Sequence, residues 1–367
     1  MTTETAAPQA ERTPDELVGR LFTATLGMMD VMATYMGDQL GLYRALHEGG
    51  PATPPELAKR AGIDPRYARE WLEQQAATNF LEVDNPAAAP DERRFTLPEA
   101  YAEPLLNKDS PYSIAPLGRS IVACAKVLPQ LMAAYRTGGG VEWADYGPDM
   151  IESQGDFNRP WLLGSLGTEI LPALPAIDKR LGADPPARVA DVACGVGWAG
   201  IAIAKAYPKV RVDGFDLDAS SIELARQNAK DAGVSERVNF QKLDVAKADA
   251  GAYDLVVIVE ALHDMTQPVG VLQSLRRMLK PDGVALIADE KTGDAFTAPA
   301  DDTERMYYGF SIFTCLPAAM TERPTAATGT VMRPDNMRRL GKEAGFKSVE
   351  PLDEPALDML RFYRFTP

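Results

Sequence analysis

Six ionisable side chains, Asp191, Asp216, Asp244, Glu260, His263 and Glu290, lie at or near the ends of short apolar runs in the second half of this 367-residue chain. Each type suits a definite task there. An acid closing a strand can accept hydrogen bonds from both hydroxyls of a ribose, which is the reading for Asp216 after Val210-Arg-Val-Asp-Gly-Phe. Asp191 sits inside Arg188-Val-Ala-Asp-Val, just before a glycine loop, where a carboxylate can take an ammonium group. Asp244, after Gln241-Lys-Leu, can bond an adenine amino group. His263, one of only two histidines, has a side chain whose ordinary pKa of about 6.5 suits a general base. Gly195 and Gly197 let the backbone come close to a ligand, and the helix that follows presents free N–H groups to an anionic group. Together these residues describe a pocket for an adenosine-bearing cofactor.

The elements that must position them alternate as in a doubly wound, Rossmann-like α/β sheet, with strands expected at 188–193, 210–216, 237–243, 253–259 and 284–289. Tyr253-Asp-Leu-Val-Val-Ile-Val is a continuous apolar run, as a strand covered on both faces requires. Pro281-Asp-Gly reads as a turn into the fifth strand, Met337 to Ala344 as a late helix, and Lys347–Glu350 with Met359–Phe365 as closing strands. In such sheets ligands bind beyond the carboxyl ends of the strands, where the six ionisable residues fall.

Upstream, the chain reads as mainly helical. Asp15 to His47 has helical periodicity, with Asp15 as its cap; Met28, Met29, Met32 and Met36 suit core or dimer packing. Thr53 caps a helix that begins at Pro54 and stops at Gly62, another helix runs from Asp64 to Thr78, and Phe80–Val83 with Arg94–Leu97 suggests a hairpin. That order is a winged helix-turn-helix. Its charge argues against nucleic acid: Glu56 to Arg94 holds six Lys or Arg against eight Asp or Glu, where a DNA reader shows a basic stripe. Ser110 to Lys179 is helical with breaks, and Gly138-Gly-Gly140 is a loop. Phe157-Asn-Arg-Pro-Trp161 is a candidate wall of a ligand cleft, although aromatic residues there also suit plain packing.

The expected division is therefore a tail at 1–14, a winged-helix dimerisation domain at 15–105, a helical linker and substrate-cleft segment at 106–182, and a cofactor-binding domain at 183–367. A formal charge of −14 opposes nonspecific binding to phosphate backbones or anionic membranes. The longest uncharged stretch, Met306 to Thr321, is too short and too broken to span a bilayer. Three cysteines at unrelated spacings, without a secretion signal, point to a cytoplasmic protein.

Two cofactor classes fit the glycines. Gly195, Gly197 and Gly200 satisfy G-x-G-x-x-G, and Asp216 follows Gly197 by 19 residues, as in dinucleotide-binding loops. Asp191, Asp244 and the lack of a second nucleotide-binding half point elsewhere. Asp191-x-Ala193-x-Gly195-x-Gly197 with Asp216 and Asp244 resembles the pattern of class I S-adenosylmethionine (SAM) methyltransferases, with Ala193 in place of the first glycine. Leu262-His-Asp264 resembles the corresponding motif of SAM-dependent O-methyltransferases of the plant and bacterial natural-product type, here followed by Met265 rather than Trp. The whole chain is similar to an actinobacterial group of small-molecule methyltransferases.

The resemblance implies SAM bound by Asp191, Ala193, Gly195, Gly197, Asp216, Leu217, Asp244, Val245 and Glu260. It implies His263 as general base with Glu290 and Asp264 as further catalytic residues, Asp289 standing beside Glu290. Trp143, Phe157, Trp161, Tyr307 and Phe310 are expected to contact a small acceptor, aromatic or natural-product-like, methylated on a hydroxyl or an enol carbon. A homodimer is expected, and no metal, although His263, Asp264, Glu290 and Cys315 could gather around one. A SAM-sensing regulator and a nicotinamide oxidoreductase remain the alternatives.

Overall fold

In the computed structural model, which describes residues 12–352 and 357–367, the chain divides at Asn107 and Lys108 into two compact units. Nearly all of the expected tail, residues 1–11, lies outside the described part. The first unit opens with α1 (Pro14–Gln39) and α2 (Leu42–Gly49). The cap of α1 is Thr13 rather than Asp15: its hydroxyl accepts from the Glu16 N–H while the Glu16 carboxylate accepts from the Thr13 N–H, a capping box. The single helix expected to His47 breaks at Leu40 and Gly41, where Gly41 takes φ +66°, a conformation open to glycine. Helices α3 (Pro54–Ala61) and α4 (Pro65–Ala77) follow as expected, capped by Thr53 and Asp64 and, for α3, stopped by Gly62. The hairpin is minimal, with β1 (Glu82–Val83) and β2 (Phe95–Thr96) of two residues each, and α5 (Glu99–Leu106) closes the unit. Its core is Leu42, Tyr43, Leu57, Trp71, Leu72 and Phe95, with Tyr43 edge-on to Trp71 at 5.0 Å. The four methionines of α1 are exposed.

The second unit begins with α6 (Ala115–Lys126), α7 (Leu128–Thr137), α8 (Pro148–Trp161) and α9 (Pro175–Gly182). Pro160 cannot donate a backbone hydrogen bond, and past it the helix continues as a wide π-helical stretch, Leu162–Ile170. Then come β3 (Arg188–Val192), α10 (Trp198–Ala206), β4 (Arg211–Asp216), α11 (Ala219–Asp231), β5 (Val238–Lys242) and β6 (Tyr253–Val259). After them lie α12 (Pro268–Met278), β7 (Leu279–Glu290), α13 (Asp302–Phe310), α14 (Leu316–Ala319), α15 (Pro334–Glu343), β8 (Ser348–Leu352) and β9 (Leu360–Thr366).

The seven strands stand in the order β5-β4-β3-β6-β7-β9-β8; the first five are parallel, and β9 is antiparallel to both its neighbours. The turn expected at Pro281-Asp-Gly is instead a bulge within β7. Tyr253 pairs Leu279 and Leu255 pairs Val284, leaving the residues between them out of register.

Side chains alternate across the sheet as the strand period demands. Val189, Leu255 and Val257 join one layer with Leu166, Ile170, Leu181 and Ile201, so the π-helical stretch and α9 share the sheet's own core. Ala190, Val256 and Ile258 face the other layer with Leu272, Met278, Met337 and Phe365. Chain order reverses between β3 and β6, which opens a crevice at their carboxyl ends.

Gly214 in β4 stands against the ring of Phe240, which is 1% exposed, and a Cβ there would collide with it. Gly214→Ala should therefore destabilise the second unit by about 1–3 kcal/mol, the usual cost of overpacking. Urea unfolding measures it; an unchanged midpoint would show that Phe240 can move freely.

Candidate active site

The loop between β3 and α10 is built on left-handed backbone. Ala193, Gly195 and Gly197 take φ of +52°, +51° and +87°. For Ala193 this conformation costs about 1–2 kcal/mol that glycine would not incur. A Cβ on Gly197 would strike the Phe240 ring, whereas one on Gly195 would meet nothing within 4 Å. Two acids brace the loop. The Gly200 N–H donates to Asp191 Oδ2 at 2.8 Å, tying the strand to the first turn of α10. Asp216 Oδ2 accepts from the Gly195 N–H at 2.8 Å and its Oδ1 from the Asp218 N–H at 2.9 Å, tying β4 to the loop. Asp244 Oδ1 accepts from the Ala246 N–H at 2.9 Å and fixes the short turn that carries Val245. Burial pushes Asp191 up to about 7 and raises Asp216 as well, against the hydrogen bonds each accepts.

Beyond β6 the backbone turns at Glu260 with φ +47°. Its Oε2 accepts from Gln154 Nε2 at 3.0 Å and from Asn158 Nδ2, so α8 holds this acid at the carboxyl end of β6. His263 follows, 2% exposed, in the turn Leu262–Asp264. Its Nδ1 lies 3.0 Å from Asp289 Oδ1 and 3.1 Å from Glu290 Oε2, and its Nε2 lies 3.2 Å from Asp264 Oδ1. Both ring nitrogens therefore face carboxylates. Burial alone would depress the imidazole's pKa, but Glu290, Asp264 and Asp289 outweigh it and hold His263 well above its ordinary value. Burial, with the neighbouring acids, pushes Glu260 and Glu290 up to about 7, and it pushes the Cys315 thiol up to about 12.

All of the expected catalytic and cofactor residues line one cavity of about 580 Å³, together with Trp143, Phe157, Tyr307 and Phe310. Trp161 does not line it. Its ring packs edge-on to Phe362 at 6.4 Å and its indole N–H donates to Asn158 Oδ1 at 2.9 Å, so it supports the wall from behind. Tyr307 and Phe310 share one face of α13, whereas Tyr308 and Phe313 lie outside the lining. Gln154 and Asn158 were not singled out from the sequence, although Asn158 falls in the candidate wall; their four-residue spacing on α8 was the available signal. His263 stands within 4.8 Å of Asp264 and Cys315 on one side and of Asp289 and Glu290 on the other, groupings of metal-ligating type whose direct contacts already engage both ring nitrogens.

Residues 183–345 match a family model described as a methyltransferase domain, and residues 26–106 match one described as an Rv2258c-like winged HTH domain. A malonyl-[acyl-carrier protein] O-methyltransferase from Halalkalibacterium halodurans is 29% identical over 117 residues, 30% of this chain and 41% of that one. The chain thus spans about two fifths of that curated relative. Two solved structures share the fold at 18% identity. PigF with SAH matches with a TM-score of 0.70, over 97% of this chain and 100% of that one. Human N-acetylserotonin methyltransferase in complex with SAM matches with a TM-score of 0.69, over 98% and 100%. The architecture is that of class I methyltransferases with a winged-helix N-terminal unit.

The raised pKa of His263 has a definite sign. Its histidinium stabilises the fold below the unfolded value of about 6.5, and that contribution is lost as pH climbs through the higher folded value. NMR titration of the imidazole, with His47→Gln to leave one signal, should give a midpoint above 6.5 that drops in Glu290→Gln. A midpoint at or below 6.5 would mean that burial dominates.

Proposed function

We propose that this chain is a SAM-dependent methyltransferase acting on a hydroxyl, or an enol carbon, of a small aromatic or natural-product-like acceptor. The observation that carries the reading is convergence: the ends of β3, β4, β5 and β6 deliver Asp191, Asp216, Asp244 and His263 to one cavity. The loop fits such a cofactor, because Gly195 leaves open space where a side chain would stand and its neighbours hold the backbone in place. Asp191 and the loop would hold the methionine end, Asp216 the ribose hydroxyls, and Asp244 with Val245 the adenine. When bound, SAM supplies a sulfonium methyl already activated for in-line displacement, the C–S bonding pair returning to sulfur as the acceptor takes the methyl.

The chain's own part is alignment, exclusion of water and custody of a proton. His263 takes the acceptor's proton at Nε2, the nitrogen facing Asp264, while Asp289 and Glu290 hold Nδ1. Because the carboxylates favour histidinium, the neutral ring that a base needs is populated on the alkaline side, and turnover should rise with pH beyond 6.5. Trp143, Phe157, Tyr307 and Phe310 supply the apolar wall.

The first unit serves assembly in this reading. Several of its basic residues are paired within the unit, Arg93 with Glu73 at 2.5 Å, Arg94 with Glu56 at 2.8 Å and Arg66 with Glu70, which reduces the positive field open to nucleic acid. Leu17, Leu21, Phe22, Met28 and Met29 are exposed on α1, as a homodimer contact requires. Among the described residues no helix is long and apolar enough to cross a membrane. The three cysteines are buried free thiols, which suits a reducing cytoplasm.

Calorimetric titration with SAM, S-adenosylhomocysteine and NADH tests the cofactor: the first two should bind and NADH should not, and Asp216→Ala should weaken both. Binding of NADH alone would return the glycines to a dinucleotide. His263→Ala should lower turnover by about 10²–10⁴-fold with cofactor affinity nearly intact; full activity in it removes His263 from the reaction. Light scattering should read twice the 39.8 kDa chain mass, and a monomer mass would remove the dimer.

A further inference from the structure

The charge of the cavity lining is one-sided. Four carboxylates, Asp191, Asp216, Asp218 and Asp244, stand on the side of the glycine loop. Five more line it as well: Glu260, Asp264 and Glu290 beside His263, and the exposed Glu142 and Glu322. No lysine or arginine lines the cavity among the described residues, and the undescribed stretches 1–11 and 353–356 contain neither residue type. A site that recognises a carboxylate or phosphate uses Arg, Lys or a run of backbone donors, because a buried anion without a partner is severely penalised. Around His263 the reverse holds, since its charged neighbours are carboxylates.

The shortage of positive charge is concrete at the closed end. Glu290 is 8% exposed, and among the described residues its Oε2 has only the ion-pair contact with His263 Nδ1 at 3.1 Å, with no well-aligned hydrogen bond. Asp264 Oδ1 likewise accepts none. His263 has one proton to offer beyond its neutral state, and it faces Asp264, Asp289 and Glu290 at once. Among the described residues, the hydrogen bonds to the Glu260 carboxylate come from the amides of Gln154 and Asn158, which are neutral. Burial with mutual repulsion drives Glu260 and Glu290 towards protonation near neutral pH, as expected of acids awaiting a counter-charge. The whole chain, at −14, adds a field of the same sign.

The geometry points to an acceptor that carries a protonated amine, held by Glu260 and Glu290 at the closed end of the cavity, and rules against acceptors bearing a carboxylate or phosphate. This rests on the methyl-transfer reading for the word acceptor, but the charge preference belongs to the cavity itself. An ammonium group donates up to three hydrogen bonds from a compact charge, which can serve the Glu290 and Glu260 carboxylates together. Its aromatic or aliphatic remainder then lies against Trp143, Phe157 and Phe310. A bound cation also lowers the proton affinity of both glutamates, so binding should release protons near neutral pH.

Three matched phenols test the proposal: tyramine, tyrosol and phloretate, which share a ring and a two-carbon arm and differ in ending on an ammonium, a hydroxyl or a carboxylate. Each is titrated calorimetrically into the full chain, with and without S-adenosylhomocysteine. Tyramine should bind about tenfold tighter than tyrosol, with phloretate weakest, and added salt should narrow the gap. Glu290→Gln and Glu260→Gln should each reduce the tyramine advantage. The rim variants Glu142→Gln and Glu322→Gln, exposed and therefore safe for folding, should reduce it less. Phloretate binding as well as tyramine, equal affinity for all three, or no binding of tyramine overturns the proposal. Failure of S-adenosylhomocysteine to bind overturns the methyl-transfer reading instead, and the phenol ranking remains readable on the protein alone.

Discussion

Burial of like charge around one imidazole is the constraint on which the second unit turns. His263, Asp289 and Glu290 are each less than a tenth exposed, and Asp264 and Glu260 stand next to them. Removing carboxylates from water is unfavourable unless they gain partners, and the partners here are few: a shared histidine, two side-chain amides, one thiol and scattered backbone donors. The result is that the proton affinities of Glu260, Asp264 and Glu290 rise, and that of His263 rises with them. Such a cluster binds protons and cations readily and repels anions.

The glycine loop solves a related difficulty with backbone rather than side chains. Asp191 and Asp216 lie in adjacent strands, Asp191 opposite Gly214 in the pairing of β3 with β4. Each uses carboxylate oxygens to hold an N–H of the loop or of the helix after it. The loop is thereby held in left-handed conformations that leave its outer face open. Asp216 is then both a brace and a cavity wall, each of its two oxygens accepting a backbone N–H.

The helical segment before the sheet is structurally continuous with it. Leu162, Leu166, Ile170 and Leu181 share a core with Val189, Ile201 and Val212, and Gly167 lets the π-helical stretch close on Ala206. With that packing in place, α8 is positioned to send Gln154 and Asn158 to Glu260 and to set Phe157 in the cavity wall. A second π-helical stretch, Ser311–Cys315, similarly delivers Cys315 beside His263 and Asp264. Irregular helices at both places put side chains where a regular 3.6-residue period would aim them elsewhere.

What the sequence determined by itself was whatever depends on local order. The first four strand runs of the sheet, the cap at Thr53, the glycine loop and the acids at strand ends are short-range patterns, and they sit within a residue or two of where they were expected, whereas the fifth strand starts at Leu279, five residues before its expected start. Local order also misled where two short-range signals competed: Asp15 lost the cap to Thr13, and Pro281-Asp-Gly became a bulge because β6 pairs across it. The tertiary structure alone decided which aromatic residues face the cavity, with Tyr307 and Phe310 inward and Trp161 turned onto Phe362. It alone brought Gln154 and Asn158 to Glu260 across about a hundred residues, and surrounded His263 with acids from two segments, the turn after β6 and the end of β7. Composition lists those acids but not their distances. A histidine's proton affinity depends on which charges lie within a few ångströms and on how much water has been excluded, and both follow only from the packed chain.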